Sequence, residues 1–473
     1  MSMAKTQFVD RLRELEALDQ RYATEQAELI VVYGRRRVGK TELIRQFCHD
    51  KPHVYFEAAQ VTDPDNLRHF VEQAGRATGE ALLQDAAFEE WEPPLEYLAR
   101  LAATQRLVLV LDEFPYLCQA NDAVPSLVQR FWDQHGQQSR LFLILCGSSV
   151  SFMENEVLAE RSPLYGRRTG QIRLQPLGYR EAAEFVSGYS LEDKLRTWGI
   201  LGGMPMYLAR CDGGAPVAEN VQRQILDPQS LLYDEPNYLL RTELREPRTY
   251  NSILQAIASG LTRRNEITQR AGQRAGMASI GKYLVNLEDL RLVERVVAVT
   301  DRAREKPSRG RYFIRDNFLR FWYRFVLPKV SMLEMGEGAR VWEQEIAPHL
   351  DEYLGLVFEE VCREYVRRYA REKLPVLPTG EVGVYWHRDA EIEVLCRNAD
   401  GSHYCGECKW SREPMDLRDL YALVRKAQTL PEDWRQGPRF LLFSRSGFAD
   451  DVRAREDGEW LILVGMEDLY GVK

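Results

Sequence analysis

The 473-residue chain carries 63 Lys and Arg against 71 Asp and Glu, a net charge of −8, with 45% hydrophobic and 28% charged residues. That balance is ordinary for a folded domain protein and excludes a generic polyanion binder, so any nucleic-acid surface must be local. No apolar run approaches the ~18 residues that span a bilayer, and the opening MSMAKTQFVDRLREL is charged throughout, with no apolar signal core. The expectation is a cytoplasmic protein of about three domains with no membrane partner. Its eight scattered cysteines, several of them in apolar runs, are expected as reduced, buried thiols.

Residues 8–18 place apolar side chains at helical spacing just ahead of a short β-branched run, LIVVY at 29–33. That run reads as one buried strand. Gly34-Arg35-Arg36-Arg37-Val38-Gly39-Lys40-Thr41 follows and fits G-x-x-x-x-G-K-[ST], and Glu42-Leu43-Ile44-Arg45-Gln46-Phe47 continues as a helix. Strand, loop and helix in that order are the setting a phosphate loop requires. Gly34 and Gly39 permit the turn that aims backbone N–H groups at phosphate oxygens. The helix start and Lys40 supply positive charge, and the Thr41 hydroxyl is a Mg²⁺ ligand. ATP with Mg²⁺ is the expected cofactor pair, with Gly34 to Glu42 as the nucleotide-binding residues.

Residues 53–58 read as a second strand and 66–78 as a helix. Residues 107–111, apolar on both faces, end in Asp112-Glu113, two carboxylates that a core strand could not bury unpaired. Beside a phosphate loop, Asp112 would hold the Mg²⁺ shell and Glu113 would orient or deprotonate the attacking water. The apolar strand at 141–146 ends in Gly147-Ser148-Ser149, where the Ser148 hydroxyl is the expected γ-phosphate sensor. Arg167 and Arg168, on the loop 164–169, are the expected arginine finger, acting in cis or across a subunit boundary of a homo-oligomer.

Taken together, Gly34–Thr41, Asp112-Glu113, the Ser148-Ser149 turn and Gly166-Arg167-Arg168 resemble the AAA+-related ATPases, including their signal-transducing (STAND-like) relatives. The resemblance covers roughly residues 1–240. It implies an α/β P-loop core at 1–175 whose leading helix covers the adenine, and a helical lid at 176–240. Within that lid, Gly202-Gly203-Met204-Pro205 looks like the family's glycine-proline element.

From residue 250 three short helical patterns (250–259, 265–271 and 279–290) precede strands at 292–299 and 311–314. That is the winged helix-turn-helix order, expected over 241–330. The third helix would be the recognition helix, with Ser279, Lys282, Tyr283 and Asn286 exposed. Between 246 and 311 thirteen Lys and Arg stand against seven Asp and Glu. Local basic charge suits DNA phosphates, while winged helices also dock proteins, so DNA and a protein partner both remain expected. The aromatic run 313–325 is read as a packed helix.

In 331–473, residues 350–365 form an amphipathic helix with Glu359. Strands at 382–387, 390–396 and 404–410 carry Glu393 and Glu407-Cys408-Lys409. An acidic residue on one strand and Glu-x-Lys on the next resemble the PD-(D/E)xK nuclease superfamily. Strand alternation puts Glu407 and Lys409 on one face. The resemblance implies that Glu393 and Glu407 share a Mg²⁺ ion, that Lys409 activates water, and that Glu359 completes the site. Glu393 stands where that superfamily usually has Asp, moving the carboxylate by about 1.5 Å. Either the backbone adjusts or the site does not cleave. The whole arrangement resembles a prokaryotic ATPase family, best known from archaea, that joins an AAA+-like core to a nuclease-like C-terminal domain. The expectation is an ATPase coupled to a DNA-directed module with possible Mg²⁺-dependent cleavage. The alternative is a nucleotide-gated switch whose nuclease-like domain binds a protein partner.

Overall fold

The computed structural model describes residues 8–85, 87–244, 246–275, 280–301, 310–387, 390–435 and 437–472. The chain divides into two compact units, one comprising Met1–Pro176 with Met204–Ala209, the other Leu177–Gly203 with Arg210–Lys473.

In the first unit five parallel strands form one sheet: β1 (Glu28–Tyr33), β2 (His53–Glu57), β3 (Leu107–Asp112), β4 (Leu141–Gly147) and β5 (Gly170–Arg173), in the order β2-β3-β4-β1-β5. Every residue of β1, β3 and β4 is buried, which is why these strands are continuous apolar runs and not alternating ones. β4 lies between β1 and β3, pairing Leu29 with Leu143 and Leu109 with Leu143. Because all the strands run the same way, the segments following β1, β3 and β4 emerge at one sheet edge. That is the edge where open parallel sheets bind ligands. The short polar β5, absent from the sequence reading, flanks β1 on its other side. The expected helix over 66–78 runs from Asp63 to Thr78, started by the Thr62 side chain accepting from the Asp65 N–H.

The second unit is mixed. Helices Pro247–Ala258, Arg264–Ala275 and Gly281–Asp289 precede an antiparallel pair, β6 (Val293–Val296) and β7 (Arg311–Ile314). Ser279 lies outside the described residues. The aromatic run packs as expected, with Phe318, Phe321, Trp322 and Tyr323 buried. A second five-stranded sheet follows: β8 (Gly383–His387), β9 (Ala390–Arg397), β10 (His403–Lys409), β11 (Pro438–Ser444) and β12 (Leu461–Val464), in the order β12-β11-β10-β9-β8. β8, β9 and β10 are antiparallel neighbours, whereas β10, β11 and β12 are parallel.

The 22-residue helix Ala347–Arg368 buries Leu350, Leu354, Val357, Val361 and Tyr365 along one stripe. Gly199 lets a second helix approach it closely, since a Cβ there would lie 2.8 Å from Leu354 Cδ2. The hydrogen bond from the Val299 N–H to the Val384 carbonyl (2.9 Å) and the Arg311 guanidinium over the Trp386 ring (4.3 Å) join the β6–β7 region to β8. Among the described residues the cysteines are free thiols, and no helix is long and apolar enough to cross a membrane.

Candidate active site

The loop between β1 and the helix Lys40–Cys48 is held tightly. A Cβ on Gly34 would lie 2.6 Å from the Leu174 carbonyl oxygen, so only glycine permits the loop to leave the sheet here. Gly39 closes the loop with φ 96°, in the left-handed region, as does Arg37 with φ 71°. No side chain caps the helix that starts at Lys40, which leaves its first N–H groups to serve an anion. The buried Lys40 ammonium donates to the loop's own carbonyls, Gly34 (2.9 Å) and Arg35 (3.1 Å). Arg11, missed in the sequence, braces the loop by donating to the carbonyls of Val38 (3.1 Å) and Gln175 (2.7 Å).

Asp112 and Glu113 arrive at the same edge from β3. Asp112, 2% exposed, accepts from the Thr41 hydroxyl (3.1 Å), from the Tyr55 hydroxyl and from the Glu113 N–H (2.9 Å). Burial and the neighbouring Asp112 carboxylate push the Tyr55 hydroxyl up, so it remains a donor. Glu113 sits in a left-handed conformation (φ 50°) at the start of the helix Phe114–Ala120. Its carboxylate accepts from the Ser148 hydroxyl (2.7 Å) and backbone N–H (3.3 Å). Arg36 reaches out of the loop to the Ser148 hydroxyl (3.4 Å) and to the Tyr116 hydroxyl. The donor set of Thr41 hydroxyl and Asp112 carboxylate suits Mg²⁺, which is held by few protein ligands together with phosphate and water. A hydroxyl–carboxylate pair closed to 3.1 Å at the helix start is a fit for that ion.

Arg167 and Arg168 are not brought to this edge, which corrects the expectation of a finger acting in cis. Thr169 pairs with Leu29 through its N–H to the Leu29 carbonyl (2.9 Å), at the opposite end of β1 from Gly34. Five strand residues, about 16 Å, separate the levels, more than an arginine side chain reaches. Arg167 instead grips Asp133 with Nε and a terminal nitrogen, both at 2.9 Å, and Arg168 donates to the Leu158 carbonyl (2.9 Å). The arginine that does stand level with Tyr33 is Arg173, paired with Glu154. Its position follows from the register of β5, which the sequence alone does not reveal.

The C-terminal carboxylates assemble differently. Lys426, on a helix (Leu417–Ala427) absent from the sequence reading, donates to both oxygens of Glu407 (2.8 and 2.6 Å) and lies 3.7 Å from Glu393. Burial works against its charge, yet Glu393 and Glu407 outweigh it and raise its pKa. Burial raises Glu393 strongly, Glu407 adds to this, and one Glu393 oxygen is buried with no hydrogen-bond partner. Burial likewise pushes Glu359 up to about 7, opposed by Arg363 at 3.5 Å. Lys409 is turned onto Asp419, donating to both oxygens (3.1 and 3.0 Å).

The expectation that Glu393 and Glu407 share Mg²⁺ beside a water-activating Lys409 is therefore corrected. An ammonium already bridges the two carboxylates, and Lys409 is bound to a different carboxylate. No group of three or more His, Cys, Asp or Glu side chains suited to a metal occurs among the described residues. The inward spacing of Leu420, Leu423 and Ala427 was the signal that could have located the helix and Lys426 with it.

The proposed recognition helix is also differently dressed. Tyr283 donates to Glu246 (2.6 Å) and Asn286 to the Tyr250 hydroxyl (2.7 Å), leaving Lys282, Val285 and Asp289 as its exposed residues.

Residues 8–211 match a family described as an ATPase domain predominantly from Archaea, and residues 322–420 match archaeal and bacterial proteins of unknown function. Residues 8–211 are thus an archaeal-type P-loop ATPase domain. An uncharacterized protein of Methanocaldococcus jannaschii is 34% identical over 431 residues, covering 90% of this chain and 93% of its own length. The chain belongs to that archaeal-type ATPase family. A second protein of that organism, described as an uncharacterized ATP-binding protein, is 52% identical over 44 residues, 9% of this chain and 75% of its own. A Walker-type ATPase of Pyrococcus abyssi superposes with a TM-score of 0.51 at 21% identity, over 68% of this chain and 98% of its own, a likeness of fold.

Proposed function

We propose that the chain is a nucleotide-gated switch: an ATPase whose nuclease-like C-terminal domain binds a protein partner and does not cut nucleic acid. In this reading Thr41 and Asp112 hold Mg²⁺ on a bound triphosphate, Ser148 senses the γ-phosphate and Glu113 takes the proton of the attacking water. Residues 241–330 act as a winged helix and 331–473 as a PD-(D/E)xK-like scaffold. The observation that carries it is Lys426, whose ammonium bridges Glu393 and Glu407 where a cleavage site needs a divalent cation. The exposed Lys282–Val285–Asp289 stripe, one cation, one apolar group and one anion, supports docking on protein more than reading of base edges.

A second reading, contact with DNA phosphates, is favoured by the basic excess over 246–311. The two separate cleanly. Incubation with single- and double-stranded DNA in Mg²⁺ or Mn²⁺ is expected to give no cleavage, and DNA affinity plotted against salt should be nearly flat. Metal-dependent cutting that disappears in Glu407→Gln would overturn the switch reading. A log–log salt slope of several units would install DNA as the partner.

A further inference from the structure

We propose that Arg36, inside the phosphate loop, supplies in cis the positive charge that hydrolysis of the triphosphate requires, so that one chain holds a complete hydrolytic site. The inference rests on the proposed occupancy of this loop by a triphosphate and goes beyond it by naming the source of the charge.

Three observations point to Arg36. It is the third residue of the loop, and its guanidinium reaches the segments that follow the neighbouring strands. There it meets the Ser148 hydroxyl at 3.4 Å and the Tyr116 hydroxyl, the latter three residues beyond Glu113. The same Ser148 hydroxyl donates to the Glu113 carboxylate at 2.7 Å. The guanidinium therefore stands one hydroxyl away from the carboxylate that would receive the water proton. Lys40 and the helix start mark where the β- and γ-phosphates lie. The phosphoryl group in flight passes between that point and the water that Glu113 deprotonates, so a guanidinium bonded to the hydroxyl that Glu113 holds is beside its path. The third observation is negative for the competitors: Arg167 and Arg168 belong to the far sheet edge and are bound to Asp133 and the Leu158 carbonyl.

The chemistry is balanced with water alone. The water oxygen bonds to the γ-phosphorus, the bond from that phosphorus to the β–γ bridging oxygen breaks, and Glu113 takes one water proton. Charge spreads over the equatorial phosphoryl oxygens, and a planar guanidinium with several fixed donors is suited to meet two of them. An ammonium is a point charge and does not reproduce that fork. Placing the group in the loop itself means that binding of the triphosphate brings the charge into position without a second subunit.

The test compares Arg36→Ala, Arg36→Lys and the double variant Arg167→Ala/Arg168→Ala with the full-length wild type. Displacement of a fluorescent ADP measures affinity for ADP and for ADP with aluminium fluoride, a mimic of the phosphoryl group in flight, and ATP turnover is followed across protein concentrations. Arg36→Ala should keep ADP affinity within about threefold, lose at least about 100-fold in affinity for the aluminium fluoride complex, and lose turnover on the order of 10³-fold. Arg36→Lys should recover little of either. The double variant should match wild type, and turnover per chain should not change with protein concentration.

A merely structural role for Arg36 would lower ADP and aluminium fluoride affinity together, and that result overturns the proposal. So does loss of the aluminium fluoride preference in the double variant, or turnover per chain that rises with protein concentration. If Arg36→Ala does not fold, Arg36→Gln carries the same comparison. Absence of ADP and ATP binding in wild type would remove the occupancy on which both readings depend, a failure visible before any variant is made.

Discussion

The two acidic sites of this molecule treat charge in opposite ways. At the edge of the first sheet Asp112 and Glu113 are held by neutral donors: the hydroxyls of Thr41, Tyr55 and Ser148 and two backbone N–H groups. The nearby cation Lys40 is spent on backbone carbonyls. In the second sheet Glu407 is paired with Lys426 and Lys409 with Asp419, so these charges are met by charged side chains. Neutral donors orient a carboxylate without cancelling its charge, and such a group can still attract an ion or a proton. A carboxylate clasped by an ammonium has little left to offer. The lesson is that the same residue types, Lys with Glu or Asp, leave a carboxylate its charge or have it met by an ammonium according to which partner sits beside it.

Three measurements bear on that contrast. The largest effect is expected at the first site: Glu113→Gln should keep nucleotide binding and lower ATP turnover on the order of 10²–10³-fold, measured by steady-state hydrolysis beside a binding titration. Normal turnover would dissolve the distinction between the sites. Next, Lys426→Ala should leave Glu393 and Glu407 facing each other without a counter-ion. Because the pair is about a quarter exposed, the loss is about 1–3 kcal/mol and not the larger figure of a fully buried pair. Urea denaturation followed on the second unit's signal reads it, and an unchanged midpoint would mean that the bridge holds nothing together.

The third effect is a pH dependence. Glu359 rises from 4.5 unfolded to about 7 folded, so the folded state holds its proton more tightly. The stabilisation is fully present below about pH 4.5 and is lost as pH rises through about 7, amounting to about 3 kcal/mol. Glu359→Gln should flatten that part of the stability–pH curve. An equally steep decline in the variant would assign the effect to another group.

The sequence made the first site legible to the extent that its chemistry is local. Strand, loop and helix around Gly34–Thr41 follow from periodicity and glycine spacing, and the end of β3 announces itself because a fully apolar strand stops at two carboxylates. What stayed hidden depends on strand order and register. Arg167 and Arg168 looked like candidates because a loop arginine carries no label for the sheet edge it occupies. β5, four residues long and partly polar, gave no pattern from which to learn it. Tyr55 reads as one more aromatic in a short strand until β2 is laid beside β3. In the second unit the three strands bearing Glu393 and Glu407 were visible by alternation, whereas β11, β12 and the helix carrying Lys426 were not. A carboxylate pair was therefore read without its counter-ion.

The backbone at Glu113 has one more consequence. A non-glycine residue at φ 50° carries a conformational penalty of about 1–2 kcal/mol, and the remainder of the domain must absorb it. Glycine at that position would relieve the twist while removing the carboxylate, so durability and reactivity pull against each other at a single peptide unit.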